Sequence, residues 1–161
     1  MVNEGTAIIT VTSGNMTGKC VIKVVLSAEQ EFIRDIEEGN ATLLESITKT
    51  VVISNNTEIK LNGNTLTGEL FTEQNGEIVE GDTDSVAIWA KEGSNVEIEG
   101  VGEVRSQDAT YSMAVWAQGG NVTIKGGSYY NEGDGCDLIY ASAGGNVYIY
   151  GGEFHATGRS G

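Results

Sequence analysis

One six-residue pattern recurs at near-constant spacing and constrains the fold more than anything else in the chain. Asn95-Val96-Glu97-Ile98-Glu99-Gly100 returns 26 residues later as Asn121-Val122-Thr123-Ile124-Lys125-Gly126, and 25 residues after that as Asn146-Val147-Tyr148-Ile149-Tyr150-Gly151. Each copy follows an apolar segment: Val86-Ala87-Ile88-Trp89-Ala90, then Met113-Ala114-Val115-Trp116-Ala117, then Asp137-Leu138-Ile139-Tyr140-Ala141. A third short segment comes after each copy: Gly102-Glu103-Val104, Gly127-Ser128-Tyr129 and Gly152-Glu153-Phe154. A fixed period of this size marks a repeat architecture whose units stack on one another. Three strands per period with Gly and Asn between them specify β-coils. Helical repeats would need longer runs at 3.6-residue spacing.

Alternation along each strand then fixes the core. Val96/Ile98, Val122/Ile124 and Val147/Ile149 point inward and stack as ladders, as do Val104, Tyr129 and Phe154. Earlier coils are less regular: Ala41-Thr42-Leu43-Leu44, Val51-Val52-Ile53, and Thr57 through Leu66. About five coils at roughly 4.8 Å each make a stack about 24 Å long.

Residues 27–39 read as the one helix. Ser27 and Gln30 form a capping box, Phe32, Ile33 and Ile36 form an apolar face, and Gly39-Asn40 supplies the stop. Its expected role is to cover the exposed edge of the first coil. Residues 6–26 alternate as a hairpin, with Ala7, Ile9 and Val11 facing Cys20, Ile22 and Val24 across a Ser13-Gly14-Asn15 turn. A lone two-stranded hairpin is marginal in water, so this one should join another sheet. The expected division is residues 1–26 as hairpin and residues 27–161 as helix plus coils. Cys20 and Cys136 stand in unrelated contexts and read as two thiols in preference to a disulfide.

Composition excludes several classes. The net charge of −14, with only nine Lys and Arg, opposes binding to nucleic acid or to an anionic membrane surface. Twenty-three Gly without a single Pro fit tight turns at fixed places and rule out collagen. Met1 to Gly5 lacks the basic start and apolar run of a signal peptide, and no segment reaches membrane-spanning length. No Cys/His cluster suggests a metal, and no cofactor motif is present.

Two resemblances rest on these residues. Gly5-Thr6-Ala7-x-Ile9-Thr10-Val11-Thr12, followed by Cys20-Val21-Ile22-Lys23-Val24, resembles the last two strands of a bacterial immunoglobulin-like domain of group 2. The helix, then Ile59-x-Leu61-Asn62-Gly63-Asn64-Thr65-Leu66, then the Asn-Val-x-Ile-x-Gly repeats, resembles the pectin-lyase-like superfamily over about 130 residues. That resemblance implies an all-β fold, a short right-handed parallel β-helix with an N-terminal capping helix. The superfamily spans lyases, hydrolases, adhesins and phage fibres, so it does not carry one function. An immunoglobulin-like piece beside a short β-helix is similar to bacteriophage virion proteins: capsid fibres, head decoration proteins and tail appendages.

Two sets of residues are site candidates. Trp89, Trp116 and Tyr140 hold equivalent places in successive coils. With Ile88, Val115 and Ile139 inward they form an exposed outward strip, serving as subunit interface or as sugar platform; with the phase reversed they are core. Tyr148 and Tyr150 add to that surface, and His155 reads as a surface histidine. Asp82, Asp84, Asp108 and Asp134, with Asp137, fall before the first strand of each coil. They read either as solvated turn residues or as a weak cation cluster. Superfamily enzymes place such carboxylates beside a catalytic Arg or Lys, whereas Lys91, Arg105 and Lys125 stand in other columns here.

No capping segment follows His155, so the last coil is expected to offer open strand edges, completed by a partner or by further chain. The resulting expectation is a non-enzymatic phage structural protein located in the virion, touching other virion proteins or copies of itself, as a trimer or as one copy among many, with a host-surface glycan as a further candidate partner. The alternative is a carbohydrate-binding or polysaccharide-degrading module of a secreted or surface bacterial protein.

Overall fold

The computed structural model describes residues 5–133 and 136–157. It is dominated by β-strands, with one short helix. β1 (Gly5–Ser13) and β2 (Met16–Val24) precede α1 (Ala28–Glu38). The strands β3 (Asn40–Thr42), β4 (Ile47–Thr48), β5 (Val51–Ile53), β6 (Thr57–Lys60) and β7 (Thr65–Thr67) come next. An antiparallel ribbon follows, β8 (Glu69–Gln74) turning into the long β9 (Glu77–Ala90). The repeats then supply β10 (Asn95–Glu99), β11 (Glu103–Arg105), β12 (Tyr111–Gln118), β13 (Asn121–Ile124), β14 (Ser128–Asn131), β15 (Ile139–Ser142), β16 (Asn146–Ile149) and β17 (Glu153–Ala156).

These strands form three parallel sheets. The first has the order β5-β9-β12-β15, with β8 added antiparallel on β9; the second is β3-β6-β10-β13-β16; the third is β4-β7-β11-β14-β17. Apart from the ribbon, the chain from β3 onward visits the three sheets in strict rotation. Each period therefore adds one strand to every sheet.

Register follows the repeat. Ile59, Ile98, Ile124 and Ile149 pair in one row across the second sheet, beside the row Thr57, Val96, Val122 and Val147. In the third sheet Ile47, Leu66, Val104, Tyr129 and Phe154 align. The central members are fully buried in one continuous core. A parallel ladder buried on its inner face gives like residues like surroundings, which is why one short pattern can be reused.

The invariant Asn of the pattern has its own physical cause. Its side-chain amides bond down the stack: Asn146 Nδ2 donates to Asn121 Oδ1 at 2.9 Å, Asn121 Nδ2 to Asn95 Oδ1 at 3.0 Å, and Asn95 Nδ2 to Asn56 Oδ1 at 2.8 Å. Gly145, just before one of these Asn, is required for close approach, because a Cβ there would lie 2.2 Å from the Ala117 carbonyl oxygen.

The helix behaves as its sequence predicts. Ser27 Oγ accepts from Gln30 N, and Gln30 Oε1 accepts from Ser27 N. Its buried Phe32 and Ile36 belong to the core cluster that holds Ala41, Leu43 and Ile59. The coil below caps its C-terminal end: Asn55 Nδ2 and Thr57 Oγ1 both donate to the Ile36 carbonyl. Among the described residues no helix is long and apolar enough to cross a membrane.

The hairpin departs from expectation. β1 and β2 pair through a two-residue Gly14-Asn15 turn, but among the described residues they form a separate two-stranded sheet and join no other. Every residue in both strands is exposed, including Ile8 at 62%, Val11 at 66% and Val21 at 64%. Cys20 and Cys136 form no disulfide.

The amide ladder yields a direct test. Asn121→Ala removes two links at once and is expected to lower unfolding free energy by about 1–2 kcal/mol. A urea midpoint equal to that of the unaltered chain would show that the ladder contributes nothing.

Candidate functional site

The outer face of the first sheet holds the aromatic residues singled out above, and a β-bulge sets their direction. The N–H groups of Ala114 and Val115 both donate to the Leu138 carbonyl, at 3.0 and 3.3 Å, so two residues of β12 oppose the single residue that leads into β15. Simple alternation is broken there. Ala87 and Ile88, and likewise Ala114 and Val115, all face the main core, with Leu138 and Ile139 packed against it. Val86 and Met113 are turned outward with Trp89 into a second apolar cluster. The bulge also resolves an awkward parity: Asp137, two residues before Ile139, lies exposed outside and not in the core.

The three rings stack as a ladder. Trp89 and Trp116 have centroids 4.5 Å apart and planes within 10°; Tyr140 follows at 6.2 Å, tilted by 40°. Register explains the alignment, since Trp89 pairs with Trp116 and Trp116 with Tyr140. Each indole N–H is satisfied, Trp89 Nε1 by Gln118 Oε1 at 3.1 Å and Trp116 Nε1 by Ser142 Oγ at 2.9 Å.

The expected uniform exposed strip is corrected by the β8–β9 ribbon. Phe71 of β8 stacks on Trp89 at 6.1 Å, and Trp89 is fully buried. Exposure grows along the ladder: Trp116 is half-buried and Tyr140 is 40% exposed. Lys91 completes the cover, its Nζ lying 3.4 Å from the Trp89 ring centroid and donating to Gln118 Oε1 at 3.0 Å. Burial pushes the Lys91 ammonium below its ordinary range, an effect opposed by Glu73. The ribbon was legible in one signal the repeat reading passed over. Asn75-Gly76 has positive φ at both residues, the turn pairing expected between two short β-segments.

Tyr148 and Tyr150 belong elsewhere. Tyr148 continues the outer column of the second sheet, pairing with Thr123, which pairs with Glu97. That face carries ion pairs of Lys60 with Glu58 at 2.8 Å and of Lys125 with Glu97. His155 stacks on Tyr130 at 4.7 Å on the third sheet, where the Arg105 guanidinium lies 4.3 Å from the Tyr130 centroid.

Among the described residues the aspartates do not assemble. Asp82 and Asp84 are strand residues of β9 and not turn residues, a consequence of the ribbon. Asp84 is buried and accepts from Glu73 N at 3.0 Å and Thr83 Oγ1 at 2.7 Å, so its carboxylate is used locally. Asp108 is exposed between β11 and β12, and Asp134 lies outside the described residues. Among the described residues no three His, Cys, Asp or Glu side chains converge to hold a metal.

Where the ladder emerges from under the ribbon, a cleft of about 290 Å³ opens between Tyr111, Ser112, Met113, Cys136, Asp137 and Tyr140. Its floor is held by a buried amide that the sequence reading missed. Asn131 Oδ1 accepts from Ser112 Oγ at 2.7 Å and Ser106 Oγ at 3.2 Å, while its Nδ2 donates to the Ser112 carbonyl at 2.9 Å. The Cys136 thiol donates to the Thr110 carbonyl at 3.2 Å, closing one side. Comparison with protein-family models, with curated proteins and with solved structures found no match.

Two substitutions test this architecture. Phe71→Ala is expected to cost about 3 kcal/mol and to shift tryptophan emission to longer wavelength as water reaches Trp89; unchanged emission would mean that the ribbon does not cover the ring. Asn131→Leu leaves Ser112 and Ser106 without their shared acceptor, and calorimetry should report a loss of about 1–3 kcal/mol.

Proposed function

We propose that this chain is a non-enzymatic structural module that works by protein–protein contact: a short right-handed parallel β-helix of the pectin-lyase-like kind, preceded by two strands of immunoglobulin-like type, as in phage virion proteins. Its role is that of a capsid fibre, head decoration or tail appendage, and its place is the virion. Support comes first from the three parallel sheets visited in rotation, with like residues in register. Such a stack is a stiff spacer, since each coil is bonded to the next along all three sheets.

The observation that carries the contact role is the hairpin. Ala7, Ile9, Val11, Ile22 and Val24 line one face of a two-stranded sheet, Ile8 and Val21 sit on the other, and none is buried. A ribbon with this much apolar surface is at best marginal alone and gains stability when a further sheet covers it. The partner is a neighbouring virion protein or another copy of the chain, in a trimer or in a larger array. Cofactors and metals have no part in this reading.

A second reading is favoured by one observation, the cleft between Tyr111 and Tyr140 beside stacked rings. It makes the chain a carbohydrate-binding or polysaccharide-degrading module of a secreted or surface bacterial protein. Light scattering and thiol labelling separate the two. The structural reading expects an oligomer, or a complex with a virion protein, in which Cys20 on the hairpin's apolar face reacts with maleimide at least tenfold more slowly than in the dissociated chain. A stable monomer with fully reactive Cys20, together with a glycan-array signal lost in Trp116→Ala, would overturn it in favour of sugar binding.

A further inference from the structure

The outer face of the first sheet combines three things that bear on one ligand chemistry. The first is charge. The ribbon segment from Glu69 to Asp84 holds six carboxylates and no Lys or Arg, and Asp137 adds another at the cleft itself. The second is ring surface. Tyr140 is 40% exposed and Tyr111 62% exposed, and both line the cleft. The third is precedent within the same ladder. At its covered end, the ammonium of Lys91 sits 3.4 Å from the Trp89 centroid with Gln118 Oε1 as its acceptor.

Periodicity shows how that chemistry changes along the stack. The column beginning at Lys91 continues as Gln118 and then Ser142, so the chain supplies a cation to the first ring and none to the last. On the third sheet the ring–cation arrangement is also internal, with Arg105 over Tyr130. Among the described residues Asp137 makes no ion pair, and no Lys or Arg lies over Tyr140 or Tyr111. The exposed end of the ladder thus repeats the ring and adds a carboxylate, leaving the cationic position to be filled from outside.

We propose that the cleft between Tyr111, Asp137 and Tyr140 is a docking site for a single lysine or arginine side chain presented by a partner protein. The cation lies against the exposed ring of Tyr140, the head group bonds to the Asp137 carboxylate, and the aliphatic stem packs on Met113. Ring quadrupole and carboxylate both favour a positive group, and the acidic ribbon raises its local concentration. An anionic ligand is repelled by the same field. This assignment deepens the contact-module reading and rests on it for the identity of the partner as a protein.

The test uses the full chain and a small probe, so it can fail while the contact-module reading, judged by oligomer size and Cys20 protection, still stands. N-acetyl-arginine amide is titrated while NMR shifts of Tyr111, Asp137 and Tyr140 are followed. N-acetyl-citrulline amide, its uncharged isostere, is titrated in parallel. Expected is saturable binding of the arginine probe that weakens with salt, with citrulline at least about fivefold weaker. Asp137→Asn should weaken the arginine probe by about two- to fivefold, Tyr140→Leu similarly, and Tyr140→Phe should retain binding. An unchanged far-ultraviolet circular dichroism spectrum and melting transition in each variant certifies the fold. Equal binding of citrulline, equal binding by Asp137→Asn and Tyr140→Leu, or displacement of the probe by a neutral methyl glycoside would each overturn the proposal.

Discussion

Everything in this protein depends on one constraint: successive periods hydrogen-bond in parallel and in register along three sheets at once. A residue in one coil then lies about 4.8 Å from its counterpart in the next. Whatever is favourable when placed over a copy of itself is rewarded at every level, and whatever is not must be paired or turned out. Aliphatic side chains satisfy this by packing, as in the row Ile59, Ile98, Ile124 and Ile149. Amides satisfy it by bonding head to tail, as in Asn56, Asn95, Asn121 and Asn146. Aromatic rings satisfy it by stacking, as in Trp89, Trp116 and Tyr140. Like charges cannot: Lys60 stands over Glu99 in one column, while Glu58 and Glu97, which stand directly opposite each other in the next, take Lys60 and Lys125 as their partners. The hydrogen bond between Lys60 and Glu58, reinforced by their opposite charges, holds the Glu58 carboxyl below its usual range and raises the Lys60 ammonium.

The same constraint decides how much was legible in the sequence. The inward rows and the helix with its capping box could be read directly, because each rests on a local pattern with a fixed period. The inside-out phase of the Trp ladder was also accessible from Ile88, Val115 and Ile139. Missing was the bulge, since Met113-Ala114-Val115 is an unbroken apolar run in which parity has no contrast to reveal a slip. The one available hint was Asp137, which alternation would have turned inward. The ribbon was missed for a different reason. It interrupts the repeat, and a search for what recurs passes over what occurs once, even with Asn75-Gly76 marking the turn.

That omission mattered most for the site. With no element assigned between Leu66 and Val86, the three aromatics looked equally exposed, and Asp82 and Asp84 were gathered into a supposed turn cluster. With the ribbon in place, Trp89 becomes structural, Asp84 becomes a local acceptor, and the accessible surface moves to Tyr111, Asp137 and Tyr140. Asn131 could not have been assigned from sequence, because its partners Ser106 and Ser112 lie 25 and 19 residues away on other strands.

The ribbon also bears on a difficulty inherent in any rod built from equal rungs. A partner that recognises one rung meets almost the same surface one period higher or lower, and so can settle at several heights of nearly equal energy. A projection that occurs in a single period removes that degeneracy. By covering the ladder at Trp89 and leaving it open at Tyr140, the β8–β9 excursion gives the stack a distinguishable height, much as an index notch fixes zero on a graduated scale.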